Sequence, residues 1–186
     1  MQFSPDGRLL AGATIPTEPS PPGAERVKIW DWRRGQLIRE LPALAEGIAF
    51  SHDGRRIATA PLTGPARVWD ARTGRVLARL AGHTGAVYDV AFAPDDSIVA
   101  TAGADGSVRL WDPRTGRQDV VLHGHEGPVW DIDFSPDGSK LVSSSPEGIV
   151  RVWALDLDDL IAIAKHNLTR ALTAAECRQY LRRGCG

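Results

Sequence analysis

A 42-residue period runs through this chain and restricts what it can fold into. Four tryptophans that follow an apolar residue, Trp30, Trp69, Trp111 and Trp153, are spaced 39, 42 and 42. Four phenylalanines that precede turn sequences, Phe3, Phe50, Phe92 and Phe134, are spaced 47, 42 and 42, and His83 and His125 are again 42 apart. A fixed period of this length marks an array of similar units, each stacked on its neighbours. The departures can be located. From Phe to Trp the counts are 27, 19, 19 and 19, so the first unit carries eight extra residues there. They lie in ATIPTEPSPPGAER, whose prolines cannot continue a strand and so belong to a long loop. From Trp to the next Phe the counts are 20, 23 and 23, so the second unit has lost three residues just after LIREL.

Within one unit the strands follow from pattern and punctuation. VYDVAF and VWDIDF alternate or stay apolar, then APDD and SPDG turn the chain. IVATAG and LVSSS follow, with small residues that allow close packing. ADGS makes the next turn, VRLWD a third strand, and PRTG turns into a fourth, QDVVL. The spacing predicts four antiparallel strands per 42 residues, the pattern of a propeller blade.

GHTGAVYDVAFAPDDSIVATAGADGSVRLWD (82–112) resembles the WD-repeat β-propeller family, and so does GHEGPVWDIDFSPDGSKLVSSSPEGIVRVW (124–153). The resemblance covers residues 1 to about 155. It implies an all-β fold, here an open arc of about four blades, each a four-stranded antiparallel sheet. The repeats fall at about 1–40, 41–80, 81–122 and 123–155.

The third repeat brings together His83, Thr101, Asp105 and Trp111. An imidazole can donate from one nitrogen and accept at the other, linking carboxylate to hydroxyl, while an indole N–H only donates. Similarity to the family implies that these four form a structural tetrad tying the loop before the first strand to the turn between the second and third. A catalytic His–Asp pair with a hydroxyl nucleophile is the rival reading. Recurrence with the repeat argues against it, since a catalytic site has no reason to recur in every blade. The fourth repeat keeps His125, Ser143 and Trp153 and offers Glu147 for the carboxylate. The second keeps Thr59 and Trp69 but has Thr63 at the acidic position, and its deletion removes the Gly-His pair.

Tyr88 and Trp130 stand five residues after His83 and His125, and Glu46 takes the matching place in the second repeat. Family similarity implies partner contact at this position, near the channel mouth. Amphipathic aromatics suit interface hot spots. The competing reading is that both rings fill the core between sheets, and full burial would decide for it.

Composition enters as an exclusion. With 22 basic and 23 acidic side chains the net charge is −1, so no nucleic-acid partner is announced. Lys28, Arg67, Arg109 and Arg151, each two before a repeated tryptophan, read as strand positions paired with nearby carboxylates rather than a basic ring. No run of 18 apolar residues exists, so no membrane partner is expected, and MQFSPDGRLL lacks the layout of a secretory signal. Cys177 and Cys185, both near the C-terminus, are too few for a disulfide scaffold, which points to a reducing, cytoplasmic setting. His123 and His125 alone make a poor metal site, and no phosphate-binding loop, GxSxG or HExxH motif is present. No cofactor, metal or catalytic residue is expected, and the chain reads as no enzyme.

After Trp153 a fourth strand does not follow. Leu157, Leu160, Ile161, Ala164 and Leu168 recur at helical spacing, with Asp156, Asp158 and Asp159 at the start, where the helix dipole favours negative charge. Thr173-Ala-Ala-Glu176 reads as a capping box. Residues 156–186 are therefore expected to form a helical tail docked on the fourth blade or the surface beside it. LTRALTAAECRQYL resembles tails that follow WD-repeat propellers in large bacterial regulators.

Taken together, the expectation is a non-catalytic protein–protein interaction scaffold or sensor, the C-terminal part of a larger bacterial regulatory protein. Two alternatives stand beside it: the regulatory portion of a nucleotide-switch ATPase or protein kinase whose catalytic domain lies upstream, and a structural half-propeller that assembles with another chain. Met1 falls at the strand position of Val90 and Ile132, so the missing blades are expected upstream or from another chain.

Overall fold

In the computed structural model, residues 1–14 and 26–156 are described. They contain strands only, arranged as four antiparallel sheets. The first holds β1 (Gln2–Phe3), β2 (Leu9–Thr14), β3 (Arg26–Asp31) and β4 (Gln36–Leu41). The second holds β5 (Gly47–Phe50), β6 (Arg56–Ala60), β7 (Ala66–Asp70) and β8 (Val76–Leu80). The third holds β9 (Val87–Phe92), β10 (Val99–Gly103), β11 (Ser107–Trp111) and β12 (Gln118–His123). The fourth has three strands, β13 (Asp131–Phe134), β14 (Lys140–Ser144) and β15 (Val150–Ala154). The predicted tail, its Cys177 and Cys185, and residues 15–25 of the proline-rich loop lie outside the described residues.

Every sheet is a meander in sequence order, and equivalent strands pair in equivalent registers. Thr101 lies opposite Arg109 in the third sheet, and Thr59 opposite Arg67 in the second. The third-to-fourth strand pairing slips at the repeated tryptophan in all three four-stranded sheets, at Ile29/Trp30, Val68/Trp69 and Leu110/Trp111. Such a bulge sharpens the local twist.

Each sheet packs face to face on the next, with small residues against large ones. Ala58, Ala60, Ala66 and Val68 of the second sheet meet Val87, Val90, Phe92, Val99 and Trp111 of the third in one buried cluster. Val27, Ile29 and Leu41 of the first meet Phe50, Ile57 and Trp69 of the second. Burial of each large side chain contributes about 1.5–3 kcal/mol. Backbone bonds cross as well: Val87 N–H donates to the Pro61 carbonyl (2.9 Å), and Val129 N–H to that of Gly103 (3.0 Å).

The turns between the first two strands show the same chemistry with one exception. Ser4, Ser51 and Ser135 each donate to the aspartate two residues on at 2.6 Å, and Gly7, Gly54 and Gly138 follow with positive φ. The third sheet places Asp96 where the others have glycine, at φ 60. A side chain in this left-handed region is uncommon and needs compensation from its surroundings. The compensation is a clasp on the neighbouring sheet: the Asp96 carboxylate accepts the N–H groups of His52 (2.7 Å) and Asp53 (2.9 Å).

Candidate functional site

The loops that enter β5, β9 and β13 lie at the same end of their sheets as the turns into β7, β11 and β15, because each inner strand pairs antiparallel with the second strand. The corner of the third sheet shows how such a loop is held. Trp111 Nε1–H donates to Thr101 Oγ1 (2.8 Å), Thr101 Oγ1 lies 2.8 Å from His83 Nε2, and His83 Nδ1 lies 2.9 Å from Asp105 Oδ1. With the hydroxyl donating to Nε2, the imidazole carries its proton on Nδ1 and donates to the carboxylate. Burial pushes the His83 pKa below the ordinary histidine value against the pull of Asp105.

Asp105 gathers more than the sequence reading assigned to it. It accepts the Ser107 hydroxyl (2.6 Å) and N–H (3.1 Å), and the Thr84 N–H (3.1 Å) from the entering loop. Burial opposes its ionisation, but the bonds from Ser107, His83 and Thr84 outweigh that and hold it well below the usual carboxylate range. A charged, multiply bonded acceptor of this kind fixes the loop firmly.

The fourth sheet repeats half of this corner. Trp153 Nε1–H donates to Ser143 Oγ (2.8 Å), which lies 2.7 Å from His125 Nε2. There the correspondence stops. His125 Nδ1 is buried without a hydrogen-bond partner among the described residues. The expectation that Glu147 supplies the carboxylate therefore needs correcting. Glu147 is exposed, and its carboxylate fills the space that a side chain on Gly127 would need. Ser145 holds the place of Gly103, where a Cβ would fall on His83 Nδ1. In the third sheet Gly103 leaves that space open; in the fourth, Ser145 stands at the equivalent place.

In the second sheet only Trp69 Nε1–H to Thr59 Oγ1 (3.0 Å) remains, and Thr63 is exposed. In the first, Gly12 stands opposite Lys28, where Thr101 stands opposite Arg109, so the hydroxyl is missing too. The four basic strand residues do not share one environment. Lys28 pairs with Glu40 (3.5 Å), and Arg109 donates to Gln118 (2.6 Å) and reaches Asp105 (3.4 Å). Arg67 lies over the Trp69 ring, while Arg151 is exposed. His123 is exposed and His125 buried, so the two do not converge on one metal, and no group of three or more potential metal ligands exists among the described residues.

Beside these corners, Trp130 is 56% exposed, Tyr88 is half-buried and Glu46 is exposed. None of the three is sealed in the core between sheets. Sequence reasoning missed two inter-sheet contacts. One is the Asp96 clasp, whose only signal was APDD in place of the SPDG and SHDG turns. The other is Asp89, which accepts the Ile132 N–H of the next sheet at 3.0 Å. Burial pushes the Asp89 pKa up to about 7, opposed by the N–H groups of Ile132 and Val90 and helped by the neighbouring Asp131.

The sequence pattern described as WD domain, G-beta repeat matches residues 74–112 and 116–154. Each match takes in the outer strand of one sheet and three strands of the next, β8 with β9–β11 and β12 with β13–β15. A sequence repeat in this chain thus bridges two sheets. The chain is also 32% identical over 66 residues to autophagy-related protein 16 of Arabidopsis thaliana, an alignment covering 34% of this chain and 13% of that protein's length.

Proposed function

We propose that this chain is a protein–protein interaction scaffold that docks its partners on the loops entering β5, β9 and β13. WD40 repeats are modules of protein–protein interaction, and two are present here. The observation that carries the reading is Trp130: a large amphipathic side chain more than half exposed, beside a corner where His125 bonds Ser143. A rigid aromatic side chain loses little conformational freedom when a partner covers it. Tyr88 and Glu46 at the equivalent positions give the face a mixed character, suited to a partner segment with both apolar and basic groups.

The test is partner capture by the whole chain and by its Trp130→Ala and Tyr88→Ala variants, with thermal melts run in parallel. Loss of capture with unchanged melting supports the docking face. Capture that ignores both substitutions moves the interface elsewhere. A reducing, cytoplasmic setting and a place within a larger bacterial regulatory protein belong to the same proposal, supported by the scarcity of cysteine and by the stretch at 168–181.

A further inference from the structure

Charge is not spread evenly over the sheets. Residues 26–80, most of the first two sheets, carry eleven basic and five acidic side chains, whereas residues 81–153, the last two, carry five and eleven. The net charge of −1 conceals this split. The difference is sharpest at the turn between β7 and β8, which lies at the other end of its sheet from the loop entering β5. A Cβ on Gly74 in that turn would meet Arg39 Cδ of β4 at 2.8 Å, so the turn rests on the Arg39 side chain. Arg39 Nε is buried there without a hydrogen-bond partner among the described residues. Arg72 and Arg75, on the turn itself, are exposed, and neither makes an ion pair among the described residues. Asp70 is close enough to feel Arg72, but its carboxylate accepts the Thr73 N–H (2.6 Å) and hydroxyl (2.8 Å). One repeat later the same turn supplies its own partners. Arg114 pairs with Asp112 (3.7 Å) and Arg117 with Asp119 (2.8 Å), and the strand beside that turn has Ala78 in place of Arg39.

A buried guanidinium nitrogen without an acceptor is rare, because the water bonds it has lost must be made good. Four exposed aliphatic side chains flank these arginines along the chain: Leu37 (44%) and Ile38 (43%) before Arg39, Val76 (40%) and Leu77 (46%) after Arg75. The two pairs are equivalent in successive sheets and equally exposed, so their exposure belongs to the outer strands themselves. We propose that Arg39, Arg72 and Arg75 form the docking site for a partner peptide segment that carries both carboxylates and aliphatic side chains. A guanidinium presents a planar fork that matches a carboxylate with two charge-assisted hydrogen bonds. The third sheet makes this contact within the chain: Asp119, at the place of Leu77, holds Arg117. What Asp119 does for Arg117, a partner carboxylate does for Arg75. The aliphatic neighbours select a peptide, since a nucleic-acid backbone or a lipid headgroup layer would set unbroken phosphate charge against them and against Asp31 and Asp70 of the adjoining turns. This site lies at the opposite end of the sheets from the loops entering β5, β9 and β13 and stands independently of that docking face.

The test is binding of the whole chain to a labelled synthetic peptide of glutamate and leucine, read by fluorescence anisotropy. Its glutamine counterpart, a DNA duplex and phosphatidylserine vesicles are run beside it. The glutamate peptide is expected to bind, and to bind more weakly at high salt, which screens exposed charges. Arg39→Gln and Arg75→Gln are each expected to weaken it about 10-fold. Arg114→Gln, whose guanidinium Asp112 already holds, should leave it unchanged. Arg39→Gln removes an unpaired buried donor, so this variant should melt no lower than the parent. Leu77→Asp keeps all three arginines and gives the second sheet the carboxylate of the third; it is expected to abolish binding with thermal melting unchanged. A glutamate peptide that does not bind, that binds no better than its glutamine counterpart, or that ignores Arg39→Gln, Arg75→Gln and Leu77→Asp overturns the proposal. DNA or vesicles preferred over the peptide through the same arginines overturn it in favour of a phosphate ligand. Trp130→Ala should alter none of these readings, so failure of this site and failure of the docking face are told apart.

Discussion

The third and fourth sheets share a tryptophan, a hydroxyl and a histidine at matching distances, yet only the third carries the chain of bonds through to a carboxylate. The difference traces to the space behind the imidazole. Gly103 leaves it free for Asp105, whereas the fourth sheet has Ser145 at the equivalent place and the second nitrogen of His125 has no partner among the described residues. A second pair of equivalent residues separates the same sheets. Asp89 is covered by the next sheet, while Asp131, at the same position one repeat later, is exposed. A repeat position therefore acquires its chemistry from what is packed against it, and residue type alone does not settle its role.

The largest break in this comparison should come from His83→Ala. It leaves the Asp105 carboxylate and the Thr101 hydroxyl short of a partner inside the fold, at a cost of about 2–3 kcal/mol. His125→Ala removes a ring with one bond fewer and should cost about half as much. Denaturant melts with unchanged slope check both, and equal losses would mean that the carboxylate adds nothing.

Gly103→Ser should turn the third corner into a copy of the fourth. The new Cβ displaces the imidazole or the carboxylate, with a loss of about 1–2 kcal/mol. Nitrogen NMR should show the His83 Nδ1 signal moving towards that of His125. An unmoved His83 signal would remove Gly103 as the cause.

Asp89→Asn separates the two sheets by pH. Because the folded-state pKa of Asp89 lies above the unfolded value, its protonated form favours the native state, and that contribution is present below about pH 4 and lost as pH rises towards 7. The variant should be more stable than the parent by about 1 kcal/mol at pH 8, with the advantage gone at pH 4. Urea titrations at the two pH values decide it.

The smallest effect sharpens the comparison from the other side. Ser145→Gly combined with Glu147→Asp should rebuild the missing link in the fourth sheet and add about 0.5–1 kcal/mol. Burial and the nearby Arg151 now hold the His125 pKa below its ordinary value, and a new carboxylate partner should raise it. A proton NMR titration of His125 reads this directly.

Much of the architecture was legible because β structure writes itself in short-range terms. Alternation in VYDVAF, the turn residues in SPDG and PRTG, and the 42-residue spacing of Trp69, Trp111 and Trp153 lead to β9, its neighbours and their equivalents within a residue or two. The members of the third corner were legible for a related reason: His83, Thr101, Asp105 and Trp111 have complementary donors and acceptors at positions that the strand register brings together. The exposure of Trp130 could not be read in this way, since the same residue at the same place could have been packed between sheets.

The sequence by itself determined the period, the strand order within each sheet and the residues available to each corner, all of which depend on neighbours along the chain and on a register of period two. Only the tertiary structure decided which corner closes, that Asp96 holds a glycine position by gripping the next turn, and that Asp89 is buried and Asp131 is not. Each of these turns on an approach between residues roughly 20 or more apart in the chain, or on what covers a face of a sheet. A single Cβ added at Gly103 would fall on the His83 imidazole, because close-packed interiors leave no room to absorb it.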